Sequence, residues 1–270
     1  MLCDQNGPHM NAVIPEQEIH PSLTILYQDA YLVAVNKPAG LLVHRSPIDR
    51  REKSAAVPML RNQIRRHVYP VHRLDRPTSG VLLFALSPEA ARKMSSVFQS
   101  GNVKKRYIAV VRGYTPESGM IDYPVKEVKD RYIPFQDQDG LKRYPAVTLY
   151  NRLSTIELPV EVDRYPSTRY SLVELHPLTG RRHQLRNHMK HISHPIVGDT
   201  RYGQTPHNHF FRKEFQCRQL LLCAKELTFP HPETGKETRI VAPYSADFQK
   251  ILIAFQWDRL GSPETGTVTR

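Results

Sequence analysis

The chain of 270 residues carries 38 lysines and arginines against 26 aspartates and glutamates, a net charge of +12 at pH 7, and that excess favours a polyanionic partner because basic side chains displace counterions from phosphates. With 40% hydrophobic and 9% aromatic residues the chain is too apolar for disorder, yet no run approaches the roughly 20 apolar residues of a membrane span. Three cysteines, Cys3, Cys217 and Cys223, form no disulfide framework and fit a reducing compartment.

Residues 1–22 have no hydrophobic period and read as a flexible extension. They lack the basic-then-apolar pattern of a secretory signal, so cytoplasm is the expected compartment. Two β-rich runs, Leu23–Tyr27 and Tyr31–Val35, flank a Gln-Asp-Ala turn and predict a hairpin. The Arg-rich stretch Pro47–Tyr69 predicts a loop and a helix near Val57–His67. "VHRLDRPTSG" (71–80) then leads into a strand over Val81–Ala85.

"SPEAARKMSSVFQSG" predicts a helix from both ends, with Ser87 as N-cap, Pro88 at the first helical position and Gly101 just past the end. "KKRYIAVVRG", "YPAVTLYNRLS" and "TRYSLVELHPLTG" read as strands. "RRHQLRNHMKHISHP" reads as a basic helix stopped by Pro195. "LLLCAKELTFPHPETG" and "TRIVAP" supply a last strand pair, and "SADFQKILIAF" a closing helix. The expected class is α+β, a mixed and mainly antiparallel sheet flanked by helices and loops, as one unit over 23–257 with a loose tail at 258–270.

Three stretches could carry chemistry. Asp75, just ahead of Pro77-Thr-Ser-Gly, is ordinary turn chemistry on those residues alone. As a nucleophile it needs a cation elsewhere that keeps the carboxylate ionised and aimed. Tyr107, in "KKRYIAVV", is either a plain strand tyrosine or a ring on which a base stacks, with a hydroxyl for proton transfer. Arg182, Arg186 and Lys190 lie four apart and predict one basic stripe on a helix, in a region with no acid between Glu174 and Asp199.

His183, His188, His191 and His194 lack the spacing of a zinc motif, so no metal is expected and RNA contacts are the better reading for them. No GxGxxG, P-loop, GxSxG or CxxC occurs.

Taken in order, "HRLDRPTSG", "KRYIAVV" and "TGRRHQLRNH", with "VAVNKPAGLLVH" at 33–44 as an opening segment, resemble the RluA-type family of RNA pseudouridine synthases over about residues 23–257. "LVHRSPIDRREK" and "RYPSTRYSLVELHPLTGR" look most like the subgroup that modifies uridine 65 of tRNA. One departure is visible: where relatives often read Leu-His-Ala, this chain has Cys223, which touches local packing or an RNA contact.

The resemblance implies the family's catalytic fold, an isomerase that needs no cofactor, and tRNA as partner, with no membrane or protein partner and a monomeric state. It implies Asp75 as nucleophile, attacking C1′ or acting as base at C2′, with Arg186 as its salt-bridge partner and Tyr107 against the uracil. A uridine in a stem must be flipped out, at a cost of a few kcal/mol. His72 and Arg73 are the candidates to fill the space it leaves. Arg61, Arg65, Arg66, Lys104, Lys105 and Arg181 are the candidates for the RNA backbone. The competing readings are a synthase acting on rRNA or another tRNA position, and a non-catalytic RNA-binding module that needs the basic residues but not Asp75.

Overall fold

A computed structural model of the protein describes residues 22–44, 54–126 and 142–258. The loose ends expected at 1–22 and 258–270 fall almost wholly outside the described residues, as do residues 47–53 of the Arg-rich stretch.

In chain order the elements are β1 (Thr24–Gln28), β2 (Leu32–Lys37), α1 (Ala56–Ile64), β3 (Tyr69–Pro70), β4 (Ser79–Ala85), α2 (Pro88–Gln99), β5 (Lys104–Arg112) and β6 (Ser118–Asp122). They continue as β7 (Val125–Lys126), β8 (Arg143–Tyr144), β9 (Val147–Leu158), β10 (Thr168–Pro177), α3 (Gln184–His191), α4 (Thr205–Glu214), β11 (Leu222–Pro230), β12 (Glu237–Val241) and α5 (Ala246–Ala254). The expected hairpin forms at β1–β2. Asp29 closes it, its Oδ1 accepting from the backbone N–H of Tyr31 and Leu32 at 2.7 Å each. The α2 signals act as read: Ser87 Oγ accepts from the Ala90 N–H at 3.1 Å, and Gly101 takes φ +78°.

The main sheet runs β1-β2-β4-β11-β5-β10-β9-β6, with β12 on β11 and β3 on β4, while β7 and β8 pair separately. It is mixed and mainly antiparallel, as expected for the class. β4 and β11 are its parallel pair, with Cys223 opposite Ser79 and Ala224 opposite Gly80. The late strand β11 is therefore inserted mid-sheet between β4 and β5 rather than simply following its neighbours. That insertion requires Gly80. At φ +111° any Cβ there would sit 2.2 Å from the Ala224 carbonyl oxygen.

Alternation along β4 and β5 sorts the core onto two faces. On one face, α1 covers Leu82 and Phe84, α3 covers Ala109 and Val111, and Tyr107 packs between the two groups. On the other, α2 packs Met94 against Val81 and Leu83, and α4 and α5 pack Phe211, Phe248 and Leu252 against Ile108 and Val110. Cys223 lies in this second core, and burial pushes its thiol up to about 11. It is a packing position and makes no surface for RNA. Among the described residues, no helix is long and apolar enough to cross a membrane.

The expected basic stripe is not formed. α3 begins at Gln184, because His183 adopts a left-handed conformation (φ 57°, ψ 20°) at its N-cap. Arg182 is thereby left in the preceding turn, while Arg186 is buried and Lys190 is exposed. α4 and β6 lie where no element was predicted.

Candidate active site

Asp75 sits in the turn that feeds β4, its carbonyl accepting from the Thr78 N–H at 3.0 Å. So the turn reading is right for the backbone, and it leaves the carboxylate free to point elsewhere. The turn is held from behind by Lys37, which is wholly buried at the end of β2. Lys37 Nζ donates to the carbonyls of Pro38, Leu41 and Arg76 at 2.9, 2.9 and 3.0 Å. The Gly40 N–H adds a bond to the Arg76 carbonyl at 2.9 Å. The "NKPAG" segment is thus a backing plate for "DRP". Burial pushes the Lys37 ammonium down to about 7, against the pull of Asp75.

α3 brings Arg186 to the same place. Its Nη1 lies 3.3 Å from Asp75 Oδ2, while Nε and Nη2 donate to Asp199 Oδ2 and Oδ1 at 2.7 and 2.8 Å. Asp199 is held in turn, Oδ1 accepting from the backbone N–H groups of Arg201 and Tyr202 at 2.9 and 3.0 Å. Burial alone would raise the Asp199 carboxyl, but the Arg186 fork and these N–H groups bring it below its ordinary value. The Tyr202 ring lies against the guanidinium, 5.2 Å from Arg186 Cζ. A bidentate fork on one acid and a single contact on the other aims the cation while leaving Asp75 only partly engaged.

Asp75, Tyr107 and Arg186 line one cleft of about 260 Å³, together with His72, Arg73, Lys105, Arg181 and His183. Burial and the charge of Asp75 push the Tyr107 hydroxyl up, so it stays protonated at neutral pH. The loop opposite is fixed by Gln184, whose Oε1 accepts from Thr179 Oγ1 and the Arg181 N–H. Its Nε2 donates to the Val147 carbonyl and Thr148 Oγ1.

The other predicted residues divide. Lys105 and Arg181 are on the cleft wall, Lys105 Nζ donating to the Thr179 carbonyl at 3.2 Å, whereas Lys104, the first residue of β5, is exposed and does not line the cleft. His72 is tied to the sheet: its Nε2 accepts from the Leu83 N–H at 3.0 Å and its ring stacks on Phe98. Burial and Lys105 push it down to about 4. Arg73 is exposed. Arg61, Arg65 and Arg66 do not reach this cleft. They line a separate depression with Asn62 and His67 at the end of α1.

The four histidines do not converge on one point. His188 bonds Thr148 Oγ1 and the Tyr123 carbonyl, His191 stacks on Tyr123, and His194 bonds the Arg112 carbonyl. His183 faces Asp75. Among the described residues no three His, Cys, Asp or Glu gather as a metal site. Lys37, Asp199, Gln184 and Tyr202 were not singled out from the sequence. A lysine inside an apolar strand ahead of Pro-Ala-Gly, and the first acid after an acid-free region, are the signals that mark two of them.

The family model described as RNA pseudouridylate synthase matches residues 31–191. A protein named tRNA pseudouridine synthase C from Pectobacterium carotovorum subsp. carotovorum is 50% identical over 235 residues, 87% of this chain; this chain spans 62% of that protein's length. The protein of the same name from Pasteurella multocida (strain Pm70) is 50% identical over 237 residues, 88% of this chain and 98% of that one. The solved structure titled Human RNA Pseudouridylate Synthase Domain Containing 4 superposes with a TM-score of 0.64 at 26% identity, covering 86% of this chain and 93% of that one. Asp75, Tyr107 and Arg186 all fall within the matched region and meet in one cleft, and the chain belongs to the RluA-type RNA pseudouridylate synthase family.

Proposed function

We propose that this protein isomerises a uridine of tRNA to pseudouridine, with uridine 65 as the target and residues 23–257 as a single catalytic unit. The observation that carries the reading is Arg186, fixed on the buried Asp199 and presented to Asp75 in a cleft with a basic rim. The tRNA substrate is supported by the 50% identical relatives, which are named for it. It fits the cytoplasmic compartment and monomeric state expected from the sequence.

The reaction breaks the N1–C1′ bond, turns the uracil and joins C5 to C1′. The proton lost from C5 is balanced by one gained at N1, so no oxidant and no cofactor enters. Asp75 acts on the ribose, and Arg186 holds its carboxylate toward the cleft. The Tyr107 ring stacks on the flipped uracil, and its protonated hydroxyl handles the proton at C5. Arg73, exposed on the cleft wall, fills the space left in the helix, with His72 as a fixed wall behind it. Lys105 and Arg181 hold the RNA backbone at the rim, and Lys104, Arg61, Arg65 and Arg66 hold it farther off.

The test is to incubate the purified protein with a tRNA transcript and map pseudouridine along it. Modification at uridine 65, lost when that base is replaced by cytidine, is the expected result. Modification only elsewhere reassigns the target, and none anywhere contradicts the activity.

A further inference from the structure

We propose that His183 is a positioning residue that holds the second carboxylate oxygen of Asp75 and is itself oriented by the Tyr202 hydroxyl. This rests on the reading of Asp75 as the acting carboxylate. Arg186 serves Oδ2 only, and a carboxylate gripped at one oxygen can still swing about its Cβ–Cγ bond. On the other side, His183 Nε2 lies 3.9 Å from Asp75 Oδ1, and His183 Nδ1 lies 3.1 Å from Tyr202 Oη. The first separation is a little beyond hydrogen-bond reach, and such contacts commonly tighten when substrate closes the site.

The chemistry of the two neighbours selects the tautomer. A carboxylate only accepts hydrogen bonds, so the imidazole is favoured with its proton on Nε2. Nδ1 then accepts from the Tyr202 hydroxyl, which can donate. Burial, with the guanidiniums of Arg186, Arg182 and Arg201, pushes His183 down to about 4 against the pull of Asp75. A neutral donor aims the carboxylate without adding a second full charge against a nucleophile that Arg186 already partly neutralises.

The backbone supports the same role. His183 holds φ 57° and ψ 20° where a helix would otherwise begin, and a non-glycine residue kept left-handed beside a cleft is strain retained at a site. The loop that carries Tyr202 is anchored independently, by Asp199 on the Tyr202 N–H. The chain Asp75–His183–Tyr202–Asp199–Arg186 closes back on Asp75, with Arg186 bonded to one of its oxygens and His183 facing the other.

The experiment compares His183→Asn, His183→Gln and Tyr202→Phe with the wild-type protein in single-turnover assays at saturating tRNA, alongside binding of the same tRNA. Asn tolerates the left-handed backbone but is too short to reach Asp75, so His183→Asn is expected to lose about tenfold or more in rate with binding nearly unchanged. His183→Gln restores a neutral donor of similar reach and is expected to recover to within about threefold of the wild-type rate. Tyr202→Phe keeps the ring on Arg186 and removes the orienting hydroxyl, and is expected to lose about threefold or more. A wild-type rate in His183→Asn, a parallel loss of binding, or no recovery in His183→Gln overturns the inference. A wild-type protein that forms no pseudouridine overturns the activity itself, a separate outcome read from the same experiment.

Discussion

Arg186 touches Asp75 with one nitrogen, Nη1 at 3.3 Å from Oδ2, and commits its other two nitrogens to Asp199 at 2.7 and 2.8 Å. The guanidinium is therefore a fixed element of the scaffold before it is a partner of the reacting carboxylate. A lysine could not reproduce this, since it offers a point charge in place of a planar fork.

Asp199→Asn leaves a buried guanidinium with one acid in place of two. It is expected to destabilise the protein by about 3–5 kcal/mol and, by letting Arg186 drift, to lower the rate about tenfold or more. The Asp199 carboxyl is held below its ordinary value in the folded state. Its contribution to stability is therefore present above the unfolded value of about 4 and is lost as pH falls through the lower folded value. Urea unfolding of wild type and Asp199→Asn from pH 7 down to pH 3 checks this. The stability gap should hold steady near neutrality and narrow at the acid end.

Tyr107→Phe retains the ring and removes the hydroxyl. If the hydroxyl handles the C5 proton, turnover should fall about 10²-fold while tRNA affinity stays near the wild-type value. A loss of affinity without loss of turnover would assign Tyr107 to stacking alone.

Gly80→Ala places a methyl 2.2 Å from the Ala224 carbonyl oxygen at a backbone φ of +111°. The clash and the strain together should cost at least about 3 kcal/mol. Thermal unfolding reads the result, and a nearly unchanged midpoint would mean that β4 and β11 are not so closely joined.

Replacing Arg61, Arg65 and Arg66 together by serine removes three cations from a depression away from the cleft. If all three contact phosphates, the slope of log affinity against log salt should fall by about 2–3. The rate at saturating tRNA should remain. An unchanged slope would make the cluster a solvated surface.

What could be read in the sequence was local. The α2 helix announces itself through Ser87, Pro88 and Gly101 because caps act within one turn. The Asp75 turn is legible for the same reason, since Pro77 restricts the backbone at its own position. Arg186 was recognisable as the partner of Asp75 through the ordered motifs of the family. The place of β11 was not legible, because its pairing with β4 and β5 joins residues more than 100 positions apart. The helical stripe of Arg182, Arg186 and Lys190 failed through one backbone choice at His183, which periodicity does not report. In the sequence Asp199 stands out only as the end of an acid-free stretch. Its role depends on a loop returning beneath α3, and no local spacing carries that.

The most direct test of the account is tritium release from tRNA labelled at uridine C5, measured for wild type and Asp75→Asn under single-turnover conditions. Asp75 is the carboxylate to which Arg186 and His183 are both directed, so the variant should bind tRNA and release no tritium above background. Retained release in Asp75→Asn would contradict the account.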